Sequence, residues 1–412
     1  MRISSHSFKR KALVTTLTLA MPVGVLAQTS NAELSQQLDA LQDQVTDLNS
    51  EVQRSAEWKS PNTLVHLAGY ADVGFSTTDA SGDEGSFGVG SFSPIFHYQY
   101  RDIVMLESEL EIEIGEDGES EVKLEYLSID WFMNDNAVLV AGQFLSPIGQ
   151  FRQNIHPSWI NKMADAPPGF GHDGAAPLSD LGLQVRSAFH VGSMKANYAV
   201  YVGNGPEIKA EVEDDGAGGV DGIEYDGIKA EAFGADRDGD KVVGGRFGFL
   251  PIPALEIGVS LLSGKATVTE YENLDPSLSP PDLETTTFAA SDYDVIGIDL
   301  SWLNKEFDLR YEYIKSKLDE TNIGGFDLEA AEWVTSYVQL AYKVPATKFE
   351  AVLRYTDFDS PHASADQEQT SVGLNYLVTN NFIGKFTFNS NNNPNTGFEL
   401  DDQYLLQLAY GF

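Results

Sequence analysis

The chain has 412 residues, a formal charge of −36 and no cysteine. The missing cysteine excludes a disulfide-stapled domain, thiolate metal sites and cysteine nucleophiles, and the acidity argues against nucleic acid as a partner. With 42% hydrophobic residues, 37 Gly, 17 Tyr and 23 Phe, the composition fits either a soluble exported protein or a barrel with aromatic girdles, so periodicity has to decide.

Arg2, Lys9, Arg10 and Lys11 precede an apolar run from Ala12 to Val25, and Val25-Leu26-Ala27 stands before Gln28. This is the pattern of a signal peptide over residues 1–27. The run is too short to serve as a spanning helix, and no later stretch approaches the roughly 20 apolar residues that one needs. Cleavage takes away four basic residues and no acidic one, bringing the formal charge to about −40.

Leu34, Leu38, Leu41, Val45, Leu48 and Val52 then follow at alternating steps of four and three. These heptads predict a coiled-coil helix within 31–57, a periplasmic stalk. The alternative is a single helix docked on the rest of the chain. The intervening Gln, Asp, Ser and Asn offer no second apolar stripe for that docking.

After Pro61 the period changes to two. In the last segment Tyr404, Leu406, Leu408, Tyr410 and Phe412 point one way, against Gln403, Gln407, Ala409 and Gly411. Val104, Leu106, Leu110, Ile112 and Ile114 alternate in the same way with glutamates, and Phe307, Leu309, Tyr311 and Tyr313 with Asp308, Arg310 and Glu312. Strands are expected near 64–76, 91–101, 103–115, 121–133, 136–145, 179–190, 193–203, 241–250, 254–264, 290–302, 305–316, 332–344, 347–357, 368–378, 381–390 and 402–412. A soluble sandwich also alternates, but the connections here go tight, long, tight, long. Arg101-Asp102, Asn134-Asp135, Val191-Gly192, Pro251-Ile252-Pro253, Asn304, Pro345-Ala346 and Thr379-Asn380 mark the tight ones. Short turns on one side and long loops on the other are the mark of an all-β fold, a transmembrane antiparallel barrel of about 16 strands over 62–412. Two segments fit less well: 91–101 contains Pro94, and in 121–133 the alternation slips between Tyr126 and Leu127, so both are candidates for a subunit contact.

Several phrases in this order carry a resemblance: VAGQFLSPIG at 140–149, DLGLQV at 180–185, YAVYVGNG at 198–205, GRFGFLP at 245–251 and FDLRYEY at 307–313. Together they resemble the phosphate-selective porin O/P family over most of the barrel. The resemblance implies a trimeric, sixteen-stranded porin of the Gram-negative outer membrane whose third outer loop folds into each pore. A related dicarboxylate-channel group carries an N-terminal coiled coil, which suits the heptads. Those phosphate channels concentrate basic residues around the solute path, whereas the outer loops of this chain are strongly acidic.

The third outer loop is 146–178, rich in Pro147, Pro157, Trp159, Pro167, Pro168, Phe170 and Pro177. So rigid a loop can narrow a channel, with Arg152, His156, Lys162, Asp165, His172 and Asp173 as its polar contributors. The alternative is that it caps the barrel or packs on a neighbouring subunit. Strand parity puts Arg186, Arg246, Arg310 and Arg354 on the lumen side, where arginine avoids the roughly 2–4 kcal/mol it costs on a lipid face at mid-depth. With Arg152 they make a candidate anion path, since guanidinium groups pair with carboxylate or phosphate. The alternative is that they only neutralise lumen carboxylates. Glu107, Glu109, Glu111 and Glu113 form an opposing acidic face.

The outer connection 204–240 is an acidic run, expected as a solvated loop. Asp236-Arg-Asp-Gly-Asp240 resembles part of a calcium loop but lacks the downstream bidentate Glu, so Asp236, Asp238 and Asp240 are at most a loose calcium site near lipopolysaccharide phosphates. No HExxH, GxSxG or phosphate-binding glycine loop occurs, so no enzyme is expected. The sequence thus predicts a homotrimeric passive channel in outer-membrane lipid for small hydrophilic solutes, with a mild preference for phosphate or carboxylate anions. A cation-preferring pore and a structural tether working through the coiled coil are the competing expectations.

Overall fold

The computed structural model describes residues 62–115, 118–171, 174–214, 220–230, 236–275, 282–323, 326–395 and 397–412. The signal peptide and the coiled-coil stalk expected from the sequence lie outside the described residues. Among the described residues there are twenty strands. The first seven are β1 (Thr63–Thr78), β2 (Ser86–Tyr100), β3 (Val104–Ile114), β4 (Ser120–Asn134), β5 (Ala137–Leu145), β6 (Ser179–Val191) and β7 (Met194–Gly203). A hairpin follows, β8 (Pro206–Asp214) and β9 (Val220–Ala230), then β10 (Val242–Ile252), β11 (Leu255–Asp275), β12 (Asp282–Leu303) and β13 (Phe307–Leu318). After a small hairpin, β14 (Thr321–Ile323) and β15 (Phe326–Leu328), come β16 (Ala331–Lys343), β17 (Phe349–Asp359), β18 (Gln367–Leu377), β19 (Phe382–Asn392) and β20 (Gln403–Gly411).

Leaving aside the two hairpins, each strand pairs antiparallel with the next, β7 with β10, β13 with β16, and β20 back to β1. That closes a barrel of sixteen strands, as the alternation and turn spacing predicted. Closure removes the sheet edges, which in lipid would leave backbone groups unpaired. At the seam Tyr70 faces Gly411 and Thr78 faces Gln403. Gly69 N–H donates to the Phe412 carbonyl at 3.1 Å, and Phe412 N–H to the Gly69 carbonyl at 2.9 Å. Gly69 has φ +150°, and a Cβ there would collide with the Ser93 carbonyl and the Phe412 ring, so only glycine permits this approach.

Alternation sorts the side chains. Leu353, Tyr355, Val372, Leu374, Leu406 and Leu408 are exposed on the outer wall, while Arg354, Ser371, Thr387 and Asn389 between them are buried inside. Aromatic pairs gather at the short-turn end of the outer wall: Phe307 with Tyr342 (ring centroids 4.8 Å apart), Phe349 with Tyr376 (5.2 Å) and Phe382 with Tyr410 (6.1 Å). These rings have the amphipathic shape that a membrane–water interface favours.

Four features refine or depart from the sequence expectations. The slip in β4 is a β-bulge: Glu109 faces Tyr126 but Leu110 faces Leu124, so Glu125 is the extra residue and the parity resets there. Pro94 stays within β2, opposite Gly69. At the long-loop end β11 and β12 extend to 21 and 22 residues, well past the roughly 9–11 needed to cross the membrane. The acidic connection 204–240 is not a plain solvated loop either, because β8 and β9 form a hairpin within it and β8 pairs parallel with Thr267–Tyr271 of β11. Ile208, Ala210, Tyr225 and Ile228 of that hairpin join Val268, Ile323, Leu328 and Trp333 in a buried cluster. Full burial of each such isoleucine contributes about 1.5–3 kcal/mol, enough to hold the hairpin down despite its charges.

Candidate functional site

The segment 146–178, described over 146–171 and 174–178, leaves β5 at the long-loop end and its described residues run through the barrel interior. Its path is set by wall residues that the two-residue period turns inward. Ser260 of β11 accepts from Gly149 N–H at 3.0 Å, and Glu312 of β13 accepts from the N–H groups of Gln150 (3.1 Å) and Phe151 (3.0 Å). Gly149 has φ +73° and lies so close to the Glu312 carboxylate that no Cβ fits. A single π-helical turn, Phe151–Ile155, follows. Further along, Lys162 pairs with Glu350 of β17 at 3.0 Å, and Asn375 of β18 donates to the Lys162 carbonyl at 2.9 Å. Thr387 of β19 accepts from Ala164 N–H at 3.1 Å, and Thr335 of β16 donates to the Pro168 carbonyl at 2.8 Å. The loop is therefore tied to six strands of one wall.

It also reaches the opposite wall. His156 Nε2 lies 3.8 Å from Glu109 Oε1 of β3, whose carboxylate accepts from Tyr70 Oη at 2.8 Å. The Tyr70 and His156 rings meet edge to face at 6.3 Å. Between the walls the loop divides the interior. On its long-loop side is a cavity of about 330 Å³ lined by Asp72, Glu111, Glu113, Glu125, Arg152 and Asp165. On the other side a cavity of about 530 Å³ is lined by Glu107, Tyr126, Gln184, Arg186, Arg246 and Glu256. It shares Gln153, Arg186, Asn197 and Arg246 with a space of about 1010 Å³ at the short-turn end, where Asp102, Asp135, His190 and Lys195 also face in.

The five arginines singled out from sequence fare differently. Arg186 pairs with Asp130, yet its side chain is 42% exposed into the two inner cavities. Arg246 makes a bidentate pair with Asp299 (2.8 and 2.7 Å) and reaches Glu256 at 3.0 Å and Asn197 at 3.2 Å. Arg310 is held by its own strand neighbour Asp308 at 2.8 and 2.9 Å. Arg152 and Arg354, at 1% and 0% exposed, correct the expectation of a five-arginine path: Arg152 only edges the cavity of about 330 Å³ and Arg354 is fully covered. Arg152 donates to the Gly171 carbonyl at 2.6 Å. Arg354 donates to Asp165 Oδ1 (3.2 Å), to the Asp165 carbonyl (3.1 Å) and to Gln369 (3.0 Å), so it works as a clamp on the loop.

The acidic row of β3 faces inward as well. Glu107 meets His97 at 3.1 Å, Glu109 holds Tyr70, Glu113 pairs with Lys123 at 2.9 Å, and Glu111 lines the outer cavity. Asp165 adds a bond from Asn389 at 2.9 Å to its arginine pair. His172 and Asp173 lie outside the described residues. Asp236 accepts from Gly239 N–H at 2.9 Å and pairs with Lys241; Asp238 accepts from Asp240 N–H at 2.8 Å and from Thr267 at 2.7 Å. Among the described residues, no group of three or more His, Asp or Glu side chains converges on a common ion position. Sequence reading missed Asp130 and Asp299, the partners that hold the lumen arginines. Their strand parity, even within β4 below the bulge and odd within β12, was the signal available.

No protein-family model and no curated protein matches the chain. Solved structures do. The outer membrane channel DcaP of Acinetobacter baumannii is similar at a TM-score of 0.51 and 10% identity, over 86% of this chain and 99% of that one. Salmonella typhi OmpF, in a complex with daunomycin, is similar at 0.51 and 12% identity, over 85% and 98%. At such identities the likeness is one of fold: this chain closes the same kind of antiparallel barrel as those two outer-membrane proteins.

Proposed function

We propose that the protein is a passive diffusion channel of the outer membrane for small hydrophilic solutes, with a mild preference for anions bearing carboxylate or phosphate. The observation that carries this reading is the pair Arg186 and Arg246, which line both inner cavities while Glu107 stands across the nearer one. Opposed charges set a transverse field that orients polar solutes and selects weakly among ions. Arg186, the more exposed of the two, is the group best placed to hand an anion onward. The phrases shared with the phosphate-selective porin O/P family support the anion preference. The exposed apolar outer wall suits lipid, and with the heptads at 34–52 it supports a homotrimer.

A specific observation favours a second reading. The outer cavity is lined by Asp72, Glu111, Glu113, Glu125 and Asp165, which would draw cations. Reversal potential in a KCl gradient across a planar bilayer separates the two: a sign set by chloride supports the anion reading, and clear potassium selectivity overturns it. Deleting 31–57 tests the tether. A channel keeps its conductance without the stalk, whereas a protein whose role is tethering loses its envelope phenotype.

A further inference from the structure

A lateral row crosses the first three strands on the lumen side. His66 of β1 stands directly opposite His97 of β2, and His97 directly opposite Glu107 of β3. The two imidazoles are nearly coplanar in orientation, 11° apart, with centroids 5.5 Å apart but Nδ1 atoms only 3.2 Å apart. Rings stacked flat would have their centroids about as close as their nearest atoms. Here the rings instead turn their Nδ1 corners toward each other. On the far side of the second ring, His97 Nε2 lies 3.1 Å from Glu107 Oε1.

We infer that His66 and His97 form a binding site for a divalent transition-metal cation on the lumen wall, with Glu107 positioning His97. Two imidazole nitrogens bound at about 2.0–2.1 Å to one tetrahedral ion sit roughly 3.3 Å apart, close to the separation observed. A carboxylate that accepts the Nε2 proton leaves the Nδ1 lone pair of His97 aimed at the ion, the usual supporting arrangement of a metal-bound histidine. Because among the described residues no third His, Asp or Glu converges here, water completes the coordination and the ion exchanges readily. Imidazole donors select Cu²⁺ and Zn²⁺ over Mg²⁺ and Ca²⁺, and copper binds the more tightly of the first two. His66 is exposed and His97 partly so, which gives the ion access from the aqueous interior. The row runs beside Gln99, which lines the large cavity at the short-turn end, and ends on Glu107 of the neighbouring one. An ion held there adds positive charge where the acidic face begins.

The test is isothermal titration of zinc chloride, and separately copper chloride, into the full-length protein purified in detergent. Millimolar magnesium chloride is present to occupy loose acidic sites. The expected result is one saturable site per chain, abolished in His66→Ala and in His97→Ala and weakened by about tenfold to a hundredfold in Glu107→Gln. Heat-modified mobility on gels confirms that each variant still forms the barrel, and His66→Phe keeps the ring packing while removing the ligand. Absence of saturable zinc and copper binding to the wild type overturns the proposal. So does wild-type affinity in His97→Ala, because binding would then belong to the acidic loops. The readout is binding in solution, so it stands or falls independently of conductance.

Discussion

Arg354→Ala should release the middle of the inward loop. The guanidinium is fully buried and donates to two atoms of Asp165 and to Gln369 at 3.0–3.2 Å. Removing one partner of a buried ion pair costs roughly 3–5 kcal/mol. The low end applies here, because Asp165 is 25% exposed and keeps its bond from Asn389, and Gln369 keeps one from Ser371. A loss of about 3 kcal/mol raises the population of a detached loop about a hundredfold. Lys162–Glu350 and the backbone bonds to Thr387 and Thr335 remain, so the barrel itself should stay closed. Single-channel recording should show larger or noisier open currents, with rapid transitions absent from the wild type. Asp165→Asn, which keeps a hydrogen-bond acceptor, should give a weaker version of the same change. A variant with wild-type current, noise and thermal midpoint would refute the role given to this clamp.

Arg186→Ala should reduce anion preference by up to about fivefold, since a unit charge about 4 Å from an ion in water is worth about 1 kcal/mol. The effect should be larger in 0.1 M than in 1 M KCl because salt screens it, as reversal potentials at the two concentrations would register. Gly69→Ala should weaken the seam by roughly 1–3 kcal/mol through backbone strain alone, lowering the urea midpoint of barrel unfolding. Gly88→Ala, which meets open space, is its neutral control. In the β1–β2 turn, the Thr78 hydroxyl and then the N–H groups of Gly85 and Thr78 hold the Asp83 carboxyl below its usual range. A depressed carboxylate stabilises fully above its unfolded value and loses that contribution as pH falls through the folded one. The protection of the Gly85 amide, measured against its intrinsic exchange rate at each pH, should therefore fall as pH drops into the acid range, and Asp83→Asn should make that protection insensitive to pH there.

The barrel was legible because its physics is local. A strand bathed in lipid on one side and water on the other must alternate, and tight turns must carry residues such as Asn304 and Pro345. The missed parts are those fixed by distant contacts. Nothing near Arg354 in sequence says that Asp165, 189 positions away, covers it, so parity placed it on the lumen side without revealing that the loop lies over it. The β8–β9 hairpin hid behind its acidic residues, although Ile208 and Ala210 already showed a two-residue step. The row of His66, His97 and Glu107 exists only through strand register, which is set by hydrogen-bonded pairing and not by spacing along the chain. Charge was the least transferable signal, since each lumen arginine is answered by a carboxylate from another position or strand.

In the proposed channel the interior past the loop conducts. The most direct measurement is the current through single molecules of the purified full-length protein in a planar bilayer in KCl. Discrete, ohmic open-channel steps are the predicted result. Protein that inserts, shown by its heat-modifiable mobility after recovery from the membrane, and yet passes no stepwise current would contradict it.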